Sequence, residues 1–128
     1  MDKYKNNKYK NDKVILDPIQ IENNSYKYII NFEIKENMII ILINDNNTLP
    51  SVNYNRTMSL KEIKYLNEIF ASNDSLYDFY SYLKLLSDDR KLGIKKSKGK
   101  LSIFYSQKIY PNNNQLKLIY FPEKKKLI

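Results

Sequence analysis

The sequence predicts an α+β fold, a mostly antiparallel sheet interrupted by a helix pair. Apolar residues alternate with period two across 26–34, take helical spacing across 60–86, and return to period two after residue 100. The order is strands, two helices, strands. A mobile, solvated basic tail is expected over residues 1–13, followed by a single domain over 14–128.

Val14–Leu16 is a short apolar segment that runs to Pro18, which restricts it to an edge strand or an extended lead-in. Tyr26, Tyr28, Ile30, Phe32 and Ile34 then share one face, opposite Lys27, Asn31, Glu33 and Lys35, as in a half-buried antiparallel strand. Glu36-Asn37 is a two-residue turn without the usual glycine. Met38–Ile43 is apolar on both faces, the pattern of a central strand covered by another layer. A loop over Asn44–Pro50 leads to a third strand at Ser51–Thr57.

Ser59-Leu-Lys-Glu62 is a capping box, and Leu60, Ile63, Leu66, Ile69 and Phe70 carry helical spacing to about residue 70. Asn73-Asp74 breaks the run. Ser75 caps a second helix, with Asp78 at its third position and a stripe of Leu76, Phe79, Tyr80, Leu83 and Leu86. Gly93 is expected to close the helical region. Lys96–Lys100 forms a tight turn centred on Gly99, a strand follows from Leu101, and Pro111–Asn114 turns the chain into a last strand at Leu116–Phe121.

The 128 residues include no His and no Cys. That excludes His- or Cys-based triads, imidazole or thiolate zinc sites, and disulfides. The abundance of Asn, Lys, Ile and Tyr matches the codon bias of an AT-rich genome. The net charge of +8 is unevenly spread. Residues 14–90 hold seven basic and eleven acidic groups, whereas residues 91–128 hold ten Lys and one Glu. The polar amino terminus lacks the apolar stretch of a signal peptide, and the longest apolar run is far short of the roughly 20 residues of a membrane span. The expected location is intracellular, in the cytoplasm.

Three segments superficially match ligand-binding motifs. Gly93–Lys100 has five residues between its glycines, and a strand instead of a helix follows, against the phosphate-loop pattern. Lys98–Tyr105 has Lys100 and Ser102 where an RNA-recognition strand needs stacking aromatics. Asp45-Asn46-Asn47 begins like a calcium loop but has Arg56 where the bidentate Glu belongs. Asp74, Asp78, Asp88 and Asp89 sit at helix ends, where capping and solvation explain them. No catalytic residue, metal site or cofactor is predicted, and the expected class is non-enzymatic.

The basic carboxyl-terminal region supplies a candidate polyanion site: Lys91, Lys95, Lys96, Lys98, Lys100, Lys108, Lys117, Lys124, Lys125 and Lys126, interleaved with tyrosines. Lysine also protects exposed strand edges, and the chain's only arginines, Arg56 and Arg90, lie outside the segment. Tyr65, Tyr77 and Tyr82 fall off the helical stripes and are candidate partner contacts.

Ser59-Leu-Lys-Glu-Ile-Lys-Tyr-Leu-Asn-Glu-Ile-Phe70, Ser75-Leu-Tyr-Asp-Phe-Tyr-Ser-Tyr-Leu83, Leu92-Gly-Ile-Lys and Leu101-Ser-Ile-Phe together resemble a small β–helix-pair–β module of AT-rich protist scaffold proteins. More remotely, they resemble the globular heads of centriole-assembly and end-joining scaffold proteins, in which a helix pair interrupts an antiparallel sheet. The likeness spans roughly residues 26–121 and consists of hydrophobic spacing. It implies a scaffold acting through protein–protein contacts in a cytoskeletal assembly. The leading expectation is therefore a structural or adaptor module with a protein partner. Sequence-independent binding of nucleic acid, acidic tails or anionic lipid is the alternative.

Overall fold

The computed structural model describes residues 13–23, 25–47, 51–97, 99–107 and 114–122. Within them the chain is α+β, with seven strands in two antiparallel sheets and two α-helices between the sheets in sequence. β1 (Val14–Asn23), β2 (Tyr26–Lys35), β3 (Met38–Asp45) and β4 (Val52–Ser59) form a four-stranded meander. β5 (Leu92–Ser97), β6 (Lys100–Gln107) and β7 (Asn114–Pro122) form a three-stranded one. The expected strand–helix–strand layout is present, and the strands divide into two sheets.

Each sheet turns one face inward. In the larger sheet, Ile30 pairs with Ile43, which pairs with Tyr54, and all three are buried. From the smaller sheet, Ile94, Leu101, Ile103, Ile119 and Phe121 join the same core. At about 1.5–3 kcal/mol for each large apolar side chain buried, this shared interior is the main stabilising term. β1 runs beside β5 and β4 beside β7, so the sheets form a sandwich closed along both edges. The Arg56 guanidinium bridges the second seam, donating to the Tyr120 carbonyl at 3.1 Å.

Local chemistry fixes the connections. Glu36 and Asn37 both take positive φ, 53° and 62°, completing the expected turn without glycine. β1 is longer than its apolar start suggests. The pairing register shifts between Leu16 and Ile19, so Asp17-Pro18 bulges out and Pro18 is accommodated on an edge strand. The Asp17 carbonyl accepts from the Tyr80 hydroxyl at 2.8 Å.

α1 (Leu60–Leu66) opens on the expected capping box: Ser59 N–H donates to Glu62 Oε1, and Glu62 N–H donates to Ser59 Oγ. It ends sooner than its apolar spacing suggests. Asn67 is extended, and its side chain caps a short 3₁₀ turn at Glu68–Phe70. α2 (Leu76–Asp88) has Ser75 as N-cap and buries Phe79, Tyr80, Leu83 and Leu86, as the stripe predicts. It touches both β1 and β5 and covers that seam. The Tyr80 ring meets Phe32 edge-on, and Phe79 meets Phe70 likewise.

Gly93 does not end the helical region as expected. α2 stops with Arg90 at φ 58°, while Arg90 N–H donates to the Ser87 carbonyl and Lys91 N–H to that of Leu86. This is a Schellman motif with arginine where glycine is usual. Gly93 lies within β5 directly opposite Phe104, whose ring covers it; a Cβ there would come within 2.6 Å of the ring. Because a left-handed arginine carries a backbone cost that glycine avoids, Arg90→Gly is expected to raise unfolding stability by about 0.5–1 kcal/mol in a urea titration.

Candidate interaction surfaces

Asp45 is the one charged side chain in the core among the described residues, with 0% exposure. It continues the inward face of β3 after Ile39, Ile41 and Ile43, as Lys96 continues that of β5 after Leu92 and Ile94. The two strands belong to opposite sheets, and the Lys96 ammonium pairs with Asp45 Oδ2 across the gap. The other oxygen, Oδ1, accepts from Asn47 N–H at 3.0 Å and from Asn47 Nδ2 at 2.9 Å. Asn47 Nδ2 also donates to the Lys27 carbonyl, tying this corner to β2.

Burial alone would raise the Asp45 pKa. Hydrogen bonds from Lys96 and Asn47 outweigh it and hold the carboxyl below its ordinary range. The bond to Asp45 likewise raises Lys96, against a smaller opposing effect of desolvation. Burial, then the Asp45 charge, raises the nearby Tyr28 phenol. This cluster carries a proton-insensitive ion pair at neutral pH and acts as a clamp between sheets.

A groove of about 520 Å³ lies beside the β1–β5 seam, lined by Gln20, Ile21, Glu22, Ser87, Arg90 and Leu92. The Glu22 carboxylate, the Arg90 guanidinium and the Ser87 hydroxyl are among its lining groups.

The predicted lysines part company. Lys96 is engaged by Asp45. Lys91 is exposed just beyond α2. Lys95 and Lys100 lie on the outer face of the smaller sheet, where Lys95 pairs with Ser102, Ser102 with Tyr120, and the Lys100 ammonium sits 5.6 Å from the Tyr120 ring centre. The backbone of Lys117 pairs opposite Phe104. Lys98, Lys108, Lys124, Lys125 and Lys126 lie outside the described residues, as do most of the Pro111–Asn114 turn and residues 1–12. Of the predicted tyrosine contacts, Tyr65 and Tyr77 are exposed. Tyr82 is half-buried against the core, its ring edge-on to Phe70, and so contributes to packing.

The outer face of the larger sheet carries a surface that the site predictions did not single out. Ile15, Ile29, Met38, Ile40 and Leu42 occupy its outward positions, and none belongs to the core or packs against it. Ile15 is 78% exposed and Ile29 46%. The pattern of Met38–Ile43 predicts a strand covered by another layer; among the described residues its inward side chains are fully buried, whereas Met38, Ile40 and Leu42 on the outer face are half-buried and do not pack on the core. Asn31, Asn44, Asn53 and Asn55 surround the apolar residues, with Glu33 and Lys35 among them. Compared with known proteins, the chain matches no family model, and no curated protein matches it in sequence.

The clamp yields an asymmetry. Lys96→Met leaves a fully buried carboxylate and is expected to cost about 3 kcal/mol, the low end for breaking a buried pair because Asn47 still donates. Asp45→Asn leaves a lysine head that reaches water and should cost only about 1 kcal/mol. Urea unfolding of both variants and the double variant checks this, and the double should cost less than the sum. Because folding lowers the Asp45 pKa, its contribution is complete above about pH 3.9 and is lost as pH falls through the native value. Folding raises Lys96, so its contribution is complete below about pH 10.4 and is lost as pH rises through the native value. Asp45→Asn should therefore flatten the acid limb of the stability profile.

Proposed function

We propose that the chain is a non-enzymatic structural or adaptor module that works by protein–protein contact. The observation that carries this reading is the outer face of β3, a central strand apolar on both sides, where Met38, Ile40 and Leu42 are half-buried and none packs on the core among the described residues. The exposed Tyr65 and Tyr77 add contact area on the helix pair. The setting implied by the scaffold resemblance, an intracellular cytoskeletal assembly, belongs to the same proposal. Proximity labelling in the source cell should identify stable neighbours that are lost when Asn31→Lys places a charge beside Leu42. Absence of any such neighbour would count against the reading.

A second reading is favoured by the placement of Lys95, Lys100 and Tyr120 on one outward face of the smaller sheet. One cation against an aromatic ring, with a second on the same face two strands away, suits a phosphate backbone or an acidic tail, without sequence preference. Binding of a single-stranded oligonucleotide should weaken at least about tenfold between 20 and 150 mM salt, through release of counterions from two contacts. No binding at the lower salt would remove this reading.

A further inference from the structure

We infer that the partner seated on the outer face of the larger sheet is a second copy of this chain, in a two-fold sheet-to-sheet contact. The inference rests on the interaction reading above and names its partner. Three features of the face support it.

The first is the apolar outer face of β3. Met38, Ile40 and Leu42 point away from the core on β3, a middle strand of the sheet where apolar residues ordinarily meet another layer, and are only half-buried among the described residues.

The second is charge. The chain carries +8, yet the outward positions of this sheet hold Glu22 and Glu33 against Lys27 and Lys35, a balance of zero. A neutral face lets two otherwise basic molecules approach. A two-fold contact, in which every residue meets its partner twice, also lets each acid meet a lysine of the other copy. A strongly acidic or basic partner would find no complementary charge there.

The third is size. Four strands about 4.8 Å apart and eight residues long, at about 3.3 Å per residue, project roughly 500 Å². Side chains standing off that plane bring the accessible area toward the roughly 800 Å² that each partner of a standard interface buries. Asn31, Asn44, Asn53 and Asn55 supply a hydrogen-bonding rim around the apolar centre.

Sedimentation equilibrium of the full chain from 5 to 200 µM tests this. The expected result is a reversible dimer whose dissociation constant changes less than about threefold between 50 and 500 mM salt, since no net charge is neutralised. Asn31→Lys should weaken it at least tenfold, as should Leu42→Thr, which retains strand propensity; Lys95→Glu, on the opposite sheet, should leave it unchanged. Circular dichroism and urea unfolding establish that each variant is folded. A monomer at 200 µM overturns the inference, as does a dimer that survives both face variants or is lost with Lys95→Glu. If the chain is monomeric but its cellular neighbours vanish with Asn31→Lys, the second copy is refuted and the interaction reading stands. If neither self-association nor face-dependent neighbours exist, both fall.

Discussion

The Asp45 carboxylate lies wholly inside the sandwich, and the group that neutralises it comes from the opposite sheet, 51 residues along the chain. A charge in that position is tolerable only if its partner arrives, because several kcal/mol of lost hydration must be offset by the pairing. The pair therefore constrains register as well as packing. A one-residue slip of β3 would turn Asp45 to the outer face and leave Lys96 without its partner, and the same slip of β5 would remove Lys96 and leave Asp45 a lone buried charge. Asn47 extends the constraint to β2 through the Lys27 carbonyl. At the seam between β4 and β7, Arg56 serves a related purpose by reaching a backbone carbonyl.

With both sheets registered against one core, their outer faces are determined too, and they differ. The smaller sheet presents Lys95 and Lys100 with Tyr120; the larger presents a neutral centre of Ile, Leu and Met within an asparagine rim. The polarity of the chain along its sequence thus becomes a polarity across the sandwich. A contact between two copies through the neutral faces would leave both basic faces outermost, so the protein-contact and polyanion readings are compatible.

Much of this was legible in the residues. Period-two alternation located β2, and Ser59 and Ser75 marked both helix starts through their hydroxyls and the carboxylates three positions on. What escaped depends on tertiary contacts. Leu66 to Phe70 reads as continuous helix until the Asn67 side chain takes up an amide of the next turn. Gly93 reads as a helix stop, yet its lack of a side chain accommodates Phe104 across the sheet. The Asp45–Lys96 pair left a faint cue, opposite charges at inward positions of two strands, but nothing in one sequence says that those strand ends meet. The outer face of β3 is visible only as a contrast, between a sequence apolar on both sides and a core that takes in one side among the described residues.

Dipolar distance measurements between spin labels decide whether the outer face of the larger sheet meets a second copy of the chain. The chain has no cysteine, so Lys27→Cys and Lys95→Cys each provide a single labelling site, on the larger and smaller sheet respectively. With packed sheets about 10 Å apart, face-to-face association predicts a short intermolecular distance, below about 25 Å, for labels at position 27 and about 30 Å or more for labels at position 95. No intermolecular coupling at position 27, or a shorter distance at position 95 than at position 27, would refute the face-to-face contact.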